Sequence, residues 1–162
     1  MDIEAIANTL QEIHDGWKRT ADAKKENERL ARQWITGEAM KTLQELVAAL
    51  DKAKGVVERA KCDPGDQRGL KRTLTFSYLP TISSMSYIIH LEVSSEGVTG
   101  RTELLTRTGS KSGKPYGEDH KDILTWTKED IVKDFSKGYG SWQPEKEPTG
   151  EGYYHSDPYL SR

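Results

Sequence analysis

Apolar residues recur every three or four positions in the front third of this chain and every second position in its middle. This switch of period constrains the fold more than any other feature, because a helix-period pattern does not settle as a strand, nor a strand pattern as a helix. Ile3, Ile6, Leu10, Ile13 and Trp17 fall on one helical face. Met40, Leu43, Val47, Leu50 and Val57 form a second stripe, broadened by Leu46 and Val56. Between the stripes, Asp22 to Arg29 keeps good helix formers but almost no apolar residue, so the helix there is solvated on every side. Ile35-Thr36-Gly37 reads as a break, and Cys62-Asp63-Pro64-Gly65 as the end of the helical part. The pattern favours two helices folded back as an antiparallel hairpin over one continuous rod with an internal glycine, the stripes being covered by the chain's own sheet or, in the rival reading, by a coiled coil with a second copy.

The period of two begins with Leu74, Phe76 and Tyr78, which alternate with Thr73, Thr75 and Ser77. It continues with Met85, Tyr87, Ile89, Leu91 and Val93 against Ser86, Ile88, His90 and Glu92. Ser94-Ser95-Glu96-Gly97 supplies a hairpin turn in which Gly97 takes a positive φ. With Val93 facing Val98, Ile89 meets Thr102 and Tyr87 meets Leu104, while His90 meets Arg101 and Ile88 meets Glu103 on the other face. Ile123-Leu124-Thr125-Trp126 reads as a fourth short strand. Thr127, with Asp130 three residues later, reads as the N-cap of a helix that docks through Ile131, Val132 and Phe135 and stops at Gly138 and Gly140. From Gln143 onward prolines, glycines and acids predict an irregular acidic tail.

The resulting fold class is α+β: an N-terminal helical hairpin, an antiparallel sheet of three to four strands, one short C-terminal helix and the tail. The segments are 1–61, 62–142 and 143–162, the first two forming one folding unit. Hydrophobic residues make up 34% of the chain and charged residues 31%, too polar for every position to share one core. Part of the chain is therefore extended, exposed or covered by a partner. No stretch reaches the roughly 18 apolar residues of a membrane span, and Met1-Asp2-Ile3-Glu4 lacks the order of a secretory signal, which sets the cytoplasm as the expected compartment.

Candidate chemistry is sparse. Cys62 is the single cysteine, so no internal disulfide or cysteine-based zinc site arises. His14, His90, His120 and His155 lack zinc-site spacing, and neither a metal nor another cofactor is assigned. Arg107-Thr108-Gly109-Ser110-Lys111-Ser112-Gly113-Lys114-Pro115 combines glycines, hydroxyls and cations suited to an anion. It is one residue short of the nucleotide-triphosphate loop, and Pro115 stands where that motif needs Ser or Thr. With Lys71, Arg72, His90 and Arg101 the loop defines a candidate surface for a phosphate or nucleotide-like ligand.

Nucleic-acid binding through the same cations is a rival reading. The net charge of -2 and the placement of Phe76, Tyr78 and Tyr87 on core faces argue against it. A second rival is a small enzyme using His90 or His120 with a carboxylate, the latter beside Glu118, Asp119 and Asp122. Trp34 and Trp142, near breaks, are candidate interface anchors. The balance favours a non-enzymatic binding protein whose interface is Ile3, Ile6, Leu10, Ile13, Trp17 and Trp34, meeting a second copy or a partner protein, with no membrane role.

Overall fold

A computed structural model describes residues 2–63, 69–79, 83–113 and 115–141. Helix α1 spans Ile3–Trp34, capped by the Asp2 carboxylate, which accepts from the Ala5 N–H at 2.7 Å. One π-helical turn, Ile35–Ala39, joins it to α2, Met40–Asp51. The expected hairpin is therefore absent, because the chain passes through Gly37 without reversing. Gly37 weakens a helix by about 1 kcal/mol relative to Ala. Fully buried Ile35, Ala39 and Leu43 on either side hold the rod in place, and the π turn keeps their faces on the core.

Six strands make one antiparallel sheet: β1 (Val57–Asp63), β2 (Lys71–Tyr78), β3 (Ser83–Ser94), β4 (Gly97–Thr108), β5 (Lys111–Ser112) and β6 (Tyr116–His120). The order is β1-β2-β3-β4-β5, with β6 also on β4. The β3–β4 register pairs Val93 with Val98, Ile89 with Thr102, Tyr87 with Leu104, His90 with Arg101 and Ile88 with Glu103, as the alternation predicts. Strand β1 replaces the last helical turns expected up to residue 61. Gly55 (φ 86°) turns the chain, and β1 then pairs with the open edge of β2 through an irregularity at which Arg59 takes φ 57°.

Ile123–Thr125 is a single 3-10 turn rather than a strand. The Thr125 N–H and hydroxyl both donate to the Asp122 carbonyl, at 2.8 and 2.7 Å, and this local bonding wins over pairing. Helix α3, Lys128–Ser141, starts where the Thr127 N–H donates to the Asp130 carboxylate, the backward half of a capping box. It continues past Gly138, which packs closely against Leu104.

All three helices cover one face of the sheet. Leu74, Phe76, Met85, Tyr87, Ile89, Leu91 and Leu104 point into that core against Trp34, Ile35, Leu43, Ile131 and Phe135. The second stripe is thus covered by the chain's own body, Leu46, Val47 and Leu50 packing partly buried on the same cluster. Trp142, Lys114 and the tail with Tyr153, Tyr154 and Tyr159 lie outside the described residues.

Candidate interaction surface

Among the described residues nothing gives the first stripe such cover. Ile3 is 86% exposed, Ile6 47%, Leu10 61%, Ile13 47% and Trp17 74%. No described residue of α1 before Ala31 is buried. The first hydrogen bond from α1 to the sheet is at Asn27, whose amide donates to the Ser94 carbonyl at 2.9 Å at the tip of the β3–β4 hairpin. Ahead of Lys24, which still borders a cleft with β3, α1 is a helical arm that runs beyond the hairpin tip. Surface hydrophobics scattered singly are ordinary, but five aligned on one face are a contiguous apolar strip.

Trp34 does not belong with the other five. It is 8% exposed, and its indole N–H donates to the Trp126 carbonyl at 3.0 Å, so it anchors α1 to the body rather than to a partner. The reason is position: Trp34 follows the solvated segment, where the helix has already reached the core.

The cations proposed for an anion site do not converge. Lys71, His90 and Arg101 share one cross-strand row on the uncovered face of the sheet. Arg107 lies six residues further along β4, about 20 Å away at roughly 3.3 Å per residue. Arg101 is engaged by Glu103 at 2.8 Å and Asp119 at 2.9 Å. Arg72 is buried on the core side and donates to the Gly69 and Lys71 carbonyls, so it cannot serve as a surface phosphate contact. Its place in the alternation, beside Leu74 and Phe76, dictates that inward direction.

The loop itself is a tight turn with Gly109 at φ 60°, leading into β5. Beside it Ser84, Ser86, Arg107, Ser112 and Gly113 border a recess of about 450 Å³. A larger cleft of about 670 Å³ is bordered by Lys24, Glu28, Leu70 and the His90–Val93 stretch of β3, and carries both signs of charge. Neither brings several unopposed cations onto one point.

His120 sits in a more enclosed setting. Its Nε2 is 2.9 Å from the Thr102 hydroxyl and 3.8 Å from Asp134, and its ring lies 4.4 Å from that of Trp126. The Tyr87 hydroxyl donates to Asp134 at 2.6 Å. Burial first, and the Asp134 charge second, push the phenol far above its ordinary range. Glu118, His120 and Asp134 bring ligand-type atoms within 4.8 Å of one another.

Lys137, however, places its ammonium 2.9 Å from Glu118, where a cation would be repelled, and Tyr116 donates to the same oxygen. That lysine holds the Glu118 carboxyl below the usual carboxylate range. The cluster clamps α3 onto β3 and β6 of the sheet. Asp134 escaped the sequence reading because nothing local ties it to Tyr87, 47 residues earlier. Cys62 is half-buried, and burial raises its thiol pKa, the opposite of an activated thiolate.

No protein-family model, curated protein or solved structure matches this chain. No described helix is long and apolar enough to cross a membrane.

Proposed function

We propose that this is a non-enzymatic interaction protein whose α1 arm pairs with the arm of a second copy. The carrying observation is the uncovered strip Ile3, Ile6, Leu10, Ile13 and Trp17 on a helix that runs past its own body. The magnitudes favour pairing of two such strips over docking on a polar surface. Burying what the five side chains now expose contributes about 7 kcal/mol per copy, at roughly 2 kcal/mol per aliphatic side chain and roughly 3 for the indole. Two copies reach about 14 kcal/mol, near the top of an association cost of about 4 to 15 kcal/mol, whereas one strip alone covers only the lower part of that range. The outcome is a reversible dimer.

Light scattering on the full chain tests this. At micromolar concentration the mass is expected to be twice 18.3 kDa. Leu10→Glu combined with Ile13→Glu is expected to return it to 18.3 kDa with the thermal transition of the sheet unchanged, since neither residue is buried against the body. A wild-type monomer at tens of micromolar overturns the proposal.

A further inference from the structure

We infer that the two arms lie antiparallel, with Leu10 of one copy beside Ile13 of the other, Ile6 beside Trp17 and Ile3 beside Thr20, so that the two bodies sit at opposite ends of a shared rod. This rests on the self-pairing proposed above and adds the orientation. Three features of the arm select it.

The first is the shape of the flanks. Along one side of the strip run Ala7, His14 and Ala21, and along the other Thr9, Gly16 and Ala23. In the antiparallel register Ala7 comes beside His14 and Thr9 beside Gly16, a smaller residue meeting a larger one in each pair. Small flanking residues let the helix axes approach to the close end of the usual 8 to 10 Å range. A Cβ added to Gly16 meets no neighbour nearer than the tip of Arg19 at 3.9 Å, so no described residue fills that groove.

The second is the indole. Parallel, in-register pairing sets Trp17 against Trp17 in one layer and Ile6 against Ile6 in another, overfilling the first and underfilling the second. Antiparallel pairing gives each indole one isoleucine, which evens the layers.

The third is charge. No flank position carries a carboxylate, lysine or arginine from Ile3 to Ala23, so two copies meet without like charges at the seam. The antiparallel register also opposes the two helix dipoles, which the parallel register aligns.

The length of the arm agrees. Ile3 of one copy reaches Thr20 of the other and stops before Asp22 to Arg29, the polar stretch that precedes the Asn27 contact with the body. The bodies therefore do not collide, and the assembly is a spacer that presents two uncovered sheet faces at a fixed separation.

Spin labels on Lys25→Cys in a Cys62→Ala background measure the orientation. Lys25 is exposed and lies beyond the paired segment. In the antiparallel register the two labelled positions are about 40 Å apart along the axis at roughly 1.5 Å per residue. In a parallel pair they are about 10 Å apart. A dimeric mass with the long distance is the expected result. A dimeric mass with the short distance overturns the orientation and leaves self-pairing standing, while a monomeric mass overturns self-pairing itself. Should Cys62→Ala weaken the body, small-angle scattering of the unlabelled full chain makes the same distinction, since the antiparallel particle has two separated lobes and the parallel one does not.

Discussion

Trp17→Ala is the sharpest test of a two-fold arm interface, because a symmetric contact uses each residue twice. Trp17 is 74% exposed in the single chain and is not packed against the body, so its loss leaves folding of the body unchanged. Covering that exposed part of the indole is worth about 2 kcal/mol. In a dimer both copies lose it, so the penalty is about 4 kcal/mol, and the dissociation constant rises by about a thousandfold. Sedimentation equilibrium over a range of loading concentrations reads this directly. Mixing wild type with the variant adds an internal check, since the mixed dimer carries one indole and is expected at half the penalty, about 2 kcal/mol. An unchanged dissociation constant, or a full loss already present in the mixed dimer, refutes the reasoning.

The body and the arm are expected to respond independently. Gly100→Ala places a Cβ 2.5 Å from Cγ1 of Ile123, an overpacking worth about 1 to 3 kcal/mol. Thermal unfolding is expected to drop by about 2 to 10 °C with the dimeric mass unchanged. Lys137→Met removes the strongest influence on Glu118, whose lowered pKa means that the pairing acts above the ordinary carboxylate range and is lost as pH falls through the lowered value. A carboxyl titration by NMR is expected to show the Glu118 midpoint moving up in the variant, and an unmoved midpoint would sink the assignment. Amide exchange along α1 from Ala5 to Thr20 is expected to slow as protein concentration rises, while exchange in β3 does not change.

The sheet was readable because one of its faces is buried. Alternation fixes which side chains point inward, and a slip of one residue between β3 and β4 would send Tyr87 and Ile89 to solvent, so Val93 opposite Val98 is the register that the pattern permits. The helix break was misread because Gly37 is a local signal, whereas continuity is decided by Ile35, Ala39 and Leu43 meeting a sheet that forms far away in sequence. Strand β1 was missed for a related reason. Val56 and Val57 fit the end of a helical stripe as well as the start of a strand, and only the open edge of β2 decides between them. Among the candidate site residues, Arg72 was misplaced despite its inward position in the alternation, because a charged residue beside Lys71 invites a surface reading.

The sequence could reveal a strip but not its exposure, which depends on where the body begins. Asn27 marks that place by donating to the Ser94 carbonyl at the hairpin tip. Ahead of it the arm need not nucleate a helix, the costly step for an isolated segment, because α1 is already nucleated where Ala31, Trp34 and Ile35 enter the core. Only propagation remains, and the Asp2 cap closes its far end. A strip of this kind buried in its own body would have served the core, as the second stripe does. Held beyond the hairpin tip on a helix that is already formed, it loses little conformational freedom on pairing, and so more of its burial appears as association.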